Sequence, residues 1–240
     1  NERDYHIRAC EVMPDGIAGY AQLRSPQPLY LSHAEGARIF DIKGRDYIDY
    51  LLGAGPLILG HRHPAIIKSL HAAVDQAIPN VGVSTNQIEL AERLRYHVPS
   101  MEYLRFLPTG TEGVQAAIRI ARKFTGRDLI GKFEGGYHGQ SDNVMVSVSA
   151  TPENRGSKLD PERVPYHCHL PKKMAELTVV LPFNNIEACS KIIERHADDL
   201  AVILIEPMLG FAGAIPAEQD FIDKLRAITK KHGILLCFDE

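Results

Sequence analysis

Apolar residues recur along this chain at two periods, and the period changes with position. Ile66, Ile67, Leu70, Ala73, Val74 and Ala77 repeat at helical spacing, as do Ile88, Ala91 and Leu94 and then Val114, Ala117, Ile118 and Ala121. Short apolar runs of strand length follow: YLRFL (103–107), LIGKF (129–133), VMVSV (144–148), LTVVL (177–181), LAVILIE (200–206) and ILLCFDE (234–240). Two more amphipathic segments, 185–196 and 219–233, lie between the later strands, and the second ends on Gly233, which suits a helix C-cap. Apolar strands alternating with amphipathic helices predict an α/β fold with a mainly parallel sheet covered on both faces. The first sixty residues read differently: they are loop-rich, with Pro14, Gly16, Gly19, Pro26 and Pro28, and then ARIFDI and DYIDYL flank Lys43-Gly44-Arg45 as a hairpin. Residues 149–173 read as a long irregular loop, and loops of that length in compact domains are usually functional or mobile.

In such sheets ligands bind beyond the carboxyl ends of the strands, which directs attention to four stretches: Thr109–Gly113, EGGYHGQSD (134–142), EPMLGFAG (206–213) and Asp239-Glu240. The first has two readings. Thr109 and Glu112 have the spacing of a capping box, which accounts for the Thr and the Glu. Glycine on both sides of Thr111 is not explained that way. It suits a backbone that approaches a ligand, where a helix N-terminus offers free N–H groups to an anion. Together the four stretches supply an anion cradle, a tyrosine beside a histidine, and acidic groups at two strand ends.

Bulk properties exclude several classes. A net charge of −3 gives no general basic surface, so neither nucleic acid nor an anionic membrane is expected as a partner. Arg119, Arg122 and Lys123 read as the solvated face of their helix. The longest apolar runs are too short to span a bilayer and the first ten residues lack a signal-peptide core, so a cytoplasmic location is the expectation. Cys10, Cys168, Cys189 and Cys237 form no C-x-x-C pair and are expected to be reduced thiols. GHRHP (60–64) and YHCHL (166–170) each place two histidines only two residues apart without a partner cluster, so no metal site is expected. His61 and His63 instead suit a turn ahead of the helix at Pro64. The acidic end of ILLCFDE is similar to a Walker B strand, but the G-x-x-x-x-G-K-[ST] phosphate loop that an ATPase needs is missing from these 240 residues.

The ordered set PTGTEGVQAAIRIARKFTGRDLIGKFEGGYHGQSD resembles class III pyridoxal-phosphate (PLP) aminotransferases, and GAGPLILGHRHP and VMPDGI are most similar to the glutamate-1-semialdehyde aminomutase subgroup. The stretch from LPFNN to CFDE continues the resemblance, with a second similarity to β-amino-acid aminotransferases. The resemblance implies fold type I, with 1–63 contributing to the small domain and 64–240 forming the PLP-binding large domain, in a homodimer acting on a small amino compound. It implies that Gly110 and Thr111 hold the cofactor phosphate and that Tyr137 stacks on the pyridine ring with His138 beside it. Asp239 would accept the pyridinium N–H, and Glu206 would lie near cofactor and substrate, although a strand-end glutamate can also cap a neighbouring loop.

Three departures qualify the resemblance. In the family the Schiff-base lysine comes from a strand after the one that ends at Asp239, and no lysine here occupies a matching position. The 240 residues alone are therefore expected to be inactive in transamination, whether as part of a longer chain, one half of a split protein or a non-catalytic binding subunit. Gln22 stands where the subgroup carries an arginine for the substrate carboxylate, and Phe211 where it carries asparagine. An amide cannot reproduce a guanidinium clamp, so glutamate 1-semialdehyde is a less suitable substrate and a less acidic or aromatic amino compound more so.

Overall fold

A computed structural model describes residues 1–18, 28–75, 82–166 and 170–239. The chain separates into two compact units, Asn1–Glu102 and Tyr103–Glu240.

The first unit begins with a helix absent from the loop-rich reading, α1 (Glu2–Val12), whose start is a capping box of Asn1 and Asp4. Strands β1 (Leu31–Glu35), β2 (Arg38–Asp41) and β3 (Asp46–Ile48) form an antiparallel meander, in which β2 and β3 are the expected hairpin. Asp41 locks its turn. The carboxylate is buried, and accepts hydrogen bonds from Lys43 N and Arg45 N (both 2.9 Å), Arg45 Nε (2.5 Å) and Tyr47 Oη (3.2 Å). Burial pushes its pKa up, but these donors outweigh burial and hold it at about 2. Helices α2 (Pro64–Asp75) and α3 (Thr85–His97) form where helical spacing placed them, and none of their described residues is buried.

In the second unit, α4 (Gly110–Thr125) and β4 (Leu129–Phe133) precede a short hairpin, β5 (Gly156–Ser157) with β6 (Asp160–Pro161), inside the long loop. Then follow α5 (Lys172–Glu176), β7 (Thr178–Leu181), α6 (Ile186–Arg195), β8 (Leu200–Ile205), the paired β9 (Met208–Leu209) and β10 (Ile215–Pro216), α7 (Gln219–His232) and β11 (Leu235–Phe238). β11, β8, β4 and β7 make a parallel sheet in that order. One face packs Phe133, Leu181, Ile203 and Ile205 against Ile192 and Ile193 of α6 and Phe221 and Leu225 of α7. The other packs Ile130, Val202 and Leu204 against Val114, Ile118 and Ala121 of α4. All six residues of β8 are buried, which is why this strand reads as an unbroken apolar run.

Two expected strands are not strands. Residues 103–107 belong to no ladder, and Tyr103 is 94% and Phe106 43% exposed. No neighbouring strand among the described residues pairs with their backbone, and apolar composition alone does not make a strand. Residues 144–148 bury Val144, Val146 and Val148 but form only an isolated bridge from Val146 to Pro165, because Ser147 takes a left-handed φ of 51° and turns the chain.

Close packing in the sheet centre depends on Gly131, where an added Cβ would lie 2.8 Å from Ile203 Cγ1. Gly131→Ala is expected to cost about 1–3 kcal/mol in urea unfolding, and most of that cost should vanish in an Ile203→Ala background, where the opposing carbon is gone. A buried cation gives a second measurable property. Lys132 is fully buried on β4 and donates from Nζ to Val146 O at 2.5 Å. Burial lowers its pKa from 10.5 to about 7, and the charges of Glu206 and Glu134 only partly offset this. Between those values the unfolded chain binds more protons than the folded one, so this group makes stability rise with pH from about 7 to 10.5. The difference in urea midpoint between wild type and Lys132→Met should move in favour of wild type as pH rises through that window.

Candidate active site

Three loops at the carboxyl ends of β4, β8 and β11, together with the start of α4, bring the sequence-selected residues of the second unit together. Thr109 caps α4 by accepting from Glu112 N at 3.2 Å, as the capping reading requires. The reciprocal half differs from that reading: Glu112 Oε2 accepts from the Thr109 hydroxyl at 3.0 Å rather than from its backbone. Beyond this cap, the backbone N–H groups of Gly110 and Thr111 meet no acceptor among the described residues, which leaves donors at the positive end of a 16-residue helix.

The turn after β4 presses onto that helix start. Gln140 N donates to Thr111 Oγ1 at 3.2 Å, and Gly139 sits at φ +88° so close that an added Cβ would be 2.6 Å from Thr111 Oγ1 and 2.8 Å from its Cα. Glycine is required here by both conformation and space.

Glu206, just past β8, is half-buried and grips two loops: Oε1 accepts from Tyr137 N at 2.8 Å and Oε2 from Gly210 N at 3.0 Å. The loop-capping role weighed for this residue is thus visible in its geometry. The two bonds fix the backbone of Tyr137, whose ring stacks on Phe211 with centroids 5.5 Å apart and planes 24° apart. Tyr166 meets the same Phe211 edge-on at 6.3 Å. The substitution-like Phe211 therefore supplies an aromatic wall against Tyr137.

His138 and Asp239 form the polar centre. His138 is 2% exposed, and its Nδ1 lies 2.7 Å from Asp239 Oδ2. Asp239 is placed by the ladder itself, since its N–H donates to Ile205 O at 2.9 Å. His138 Nε2 is buried without a hydrogen-bond partner among the described residues, and a Cβ on Gly136 would come within 3.1 Å of it. An orphaned ring nitrogen in such a position is uncommon in a site complete without a ligand. Sequence reading placed His138 beside the ring and Asp239 on the pyridine nitrogen; it missed that the two side chains bind one another across 101 residues. Only the adjacency of β4 and β8, and of β8 and β11, reveals that pairing.

Gln22 lies outside the described residues, as do His167, Cys168, His169 and Glu240. His61 Nε2 donates to Asp49 Oδ2 at 2.7 Å, consistent with a structural role in its turn. None of the lysine hydrogen bonds found among the described residues reaches Thr111, Tyr137, His138, Glu206 or Asp239; they join Lys43 to Glu2, Lys132 to Val146 and Lys224 to Asp220.

A strand-end cluster of this kind on a parallel sheet defines a ligand-binding α/β protein, and comparison with known proteins identifies which. The family model for aminotransferase class III matches residues 20–240, so the chain belongs to that family. Glutamate-1-semialdehyde 2,1-aminomutase 1 of Staphylococcus carnosus is 40% identical over 238 residues, covering 97% of this chain and 53% of the relative. An omega-transaminase from Sphaerobacter thermophilus superposes with a TM-score of 0.93 at 36% identity, over 98% of this chain and 54% of that one. A transaminase with PLP bound does so with a TM-score of 0.89 at 35% identity, over 99% and 54%. The fold is that of the type I PLP-dependent transferases. The chain spans about half the length of the relatives it matches. No helix among the described residues is long and apolar enough to cross a membrane.

Replacing Gly139 with alanine should separate the turn after β4 from α4. The expected loss is about 1–3 kcal/mol in unfolding free energy. Adding Thr111→Ala should restore little of it, because the Thr111 Cα at 2.8 Å remains in the way.

Proposed function

We propose that this chain forms the cofactor-binding part of a PLP-dependent class III aminotransferase that moves an amino group between small amino and carbonyl compounds. The observation that carries the reading is the pair of buried His138 and half-buried Asp239, set beside the open N–H groups of α4 within one family-matched region. Bound PLP supplies an electron sink that stabilises negative charge on the carbon next to the transferred nitrogen.

The residues present fit that group. Gly110 N, Thr111 N and the Thr111 hydroxyl would hold the PLP phosphate with the helix dipole behind them, and Gly139 lets the turn after β4 pack directly on Thr111. Glu206 acts through the backbone: by accepting from Tyr137 N it sets the height of the tyrosine ring, which offers a stacking surface for the pyridine. Asp239 would hold the pyridine nitrogen of bound PLP protonated, since its Oδ2 is engaged by His138 and its Oδ1 makes no hydrogen bond among the described residues. His138 fixes that carboxylate in place through the 2.7 Å contact of its Nδ1 with Oδ2. In this reading 64–240 belongs to the large domain and 1–63 contributes to the small one, and the whole protein works as a cytoplasmic homodimer.

Transfer between two molecules is favoured by Phe211 and Gln22, since an aromatic wall and a neutral amide suit a less acidic substrate than glutamate 1-semialdehyde. The second reading, intramolecular aminomutation with 149–173 retaining the intermediate, is favoured by the 40% identity to an aminomutase. Product analysis of the full-length protein separates them: keto product formed in proportion to consumed amino donor supports transfer, and its absence with isomerised product supports the mutase.

The cofactor assignment is tested with Asp239→Asn in the full-length protein. Removing the charge while keeping the shape should lower turnover about a thousandfold, leaving the unfolding midpoint and the amount of bound PLP nearly unchanged. Near-normal turnover would refute the role given to Asp239, and a full-length protein that takes up no PLP would sink the whole reading.

A further inference from the structure

On the edge of the sheet, where the chain leaves β4 and β7, lies a cavity of about 580 Å³ that none of Gly110, Thr111, Tyr137, His138, Glu206 and Asp239 lines. Its apolar lining comes from Phe183, Leu209 and Ile215, and its charged lining from Arg155 and Lys158 of the β5–β6 hairpin together with Glu134. We propose that this cavity is a binding site for a small monocarboxylate with an apolar body, the carboxylate meeting Arg155 and Lys158 and the body lying on Leu209 and Ile215.

Three features support a built site rather than loose surface charge. The cations have no acidic partner of their own: among the described residues neither Arg155 nor Lys158 makes an ion pair, while the hairpin's own Asp160 is engaged by Arg195 at 3.1 Å. Arg155 is half-buried, so a planar donor fork is held partly out of water without an acceptor, a condition an incoming carboxylate relieves.

The hairpin that carries them is fastened at both ends. Asn154 Oδ1 accepts from Thr151 N at 2.8 Å, and Arg155 O accepts from Glu162 N at 2.7 Å. Further on, Ser147 Oγ donates to Glu162 O at 2.7 Å and accepts from Val164 N at 3.0 Å, and Arg163 Nε donates to Thr178 O at 2.6 Å. A cation on so constrained a turn loses less freedom on binding than one on a free loop.

The third feature is charge and size. Two cations and one carboxylate leave a single net positive charge in the lining, which matches a monoanion better than a dianion, and the volume falls within the range of small-molecule sites. Recognition has a route to the neighbouring cluster: Leu209 and Ala212 line the cavity, while Phe211 between them stacks on Tyr137.

The proposal is independent of PLP and is tested by binding alone. Phenylacetate is titrated into cofactor-free protein carrying labelled Leu and Ile methyl groups, followed by NMR. Saturable shifts at Leu209 and Ile215 at millimolar ligand are expected, with phenylacetamide and inorganic phosphate binding at least about tenfold more weakly. Arg155→Ala combined with Lys158→Ala should weaken phenylacetate at least about tenfold at an unchanged unfolding midpoint, and Arg155→Lys should lose less. Unsaturated shifts at about 20 mM phenylacetate, equal binding of phenylacetamide, or equal binding by the double variant would each overturn the proposal.

Discussion

Leu200–Ile205 is withdrawn from water on both sides, and this constraint organises the second unit. A strand buried on two faces needs a ladder neighbour on each edge and a helix layer above and below. Here β4 and β11 supply the edges, α4 one layer and α6 with α7 the other. The close approach at Gly131 follows from the same demand, because a side chain there would push β4 away from Ile203. Once these strands are parallel and adjacent, their carboxyl ends emerge together, and the loops that follow them have no choice but to meet.

The chemistry of the cluster is a consequence of that meeting. Asp239 continues the β11 ladder against Ile205, Glu206 follows β8 by a single residue, and His138 lies on the turn after β4. The sheet therefore locates Asp239 and Glu206 at the ends of β11 and β8 more finely than loops alone achieve. Glu206 then transmits that precision to Tyr137 by accepting from its N–H, and Asp239 does so to His138 through its carboxylate. The aminotransferase class III match over residues 20–240 covers every residue of this cluster.

Lys132 shows the cost of such organisation. It lies on the α4 face of β4, among Ile130, Val202 and Leu204, where an apolar residue would pack without penalty. Its ammonium instead satisfies Val146 O in a segment that the left-handed Ser147 has turned away from the sheet. Ser147 in turn accepts from Gly135 N at 2.8 Å and holds Val164, so the glycine-rich turn after β4 and the far end of the long loop share one anchor.

Local pattern determined most of the elements. Helical spacing located α2, α3, α4, α6 and α7, apolar runs located β4, β7, β8 and β11, and a glycine turn located the β2–β3 hairpin, since each signal arises from contacts within a few residues. The Asn1–Asp4 cap of α1 was present in the sequence but masked by the prolines and glycines that follow. Motif order likewise carried the family and the identity of Gly110, Thr111, Tyr137, His138, Glu206 and Asp239 as a set worth examining. Tertiary structure alone decided the rest. Residues 103–107 and 144–148 have strand composition, yet a strand needs a partner backbone and local composition does not encode one. The pairing of His138 with Asp239, the grip of Glu206 on Tyr137 and the wall that Phe211 builds join residues far apart in the chain. Such contacts depend on strand order, and strand order is settled by which buried faces find each other, a choice that no single stretch of sequence makes.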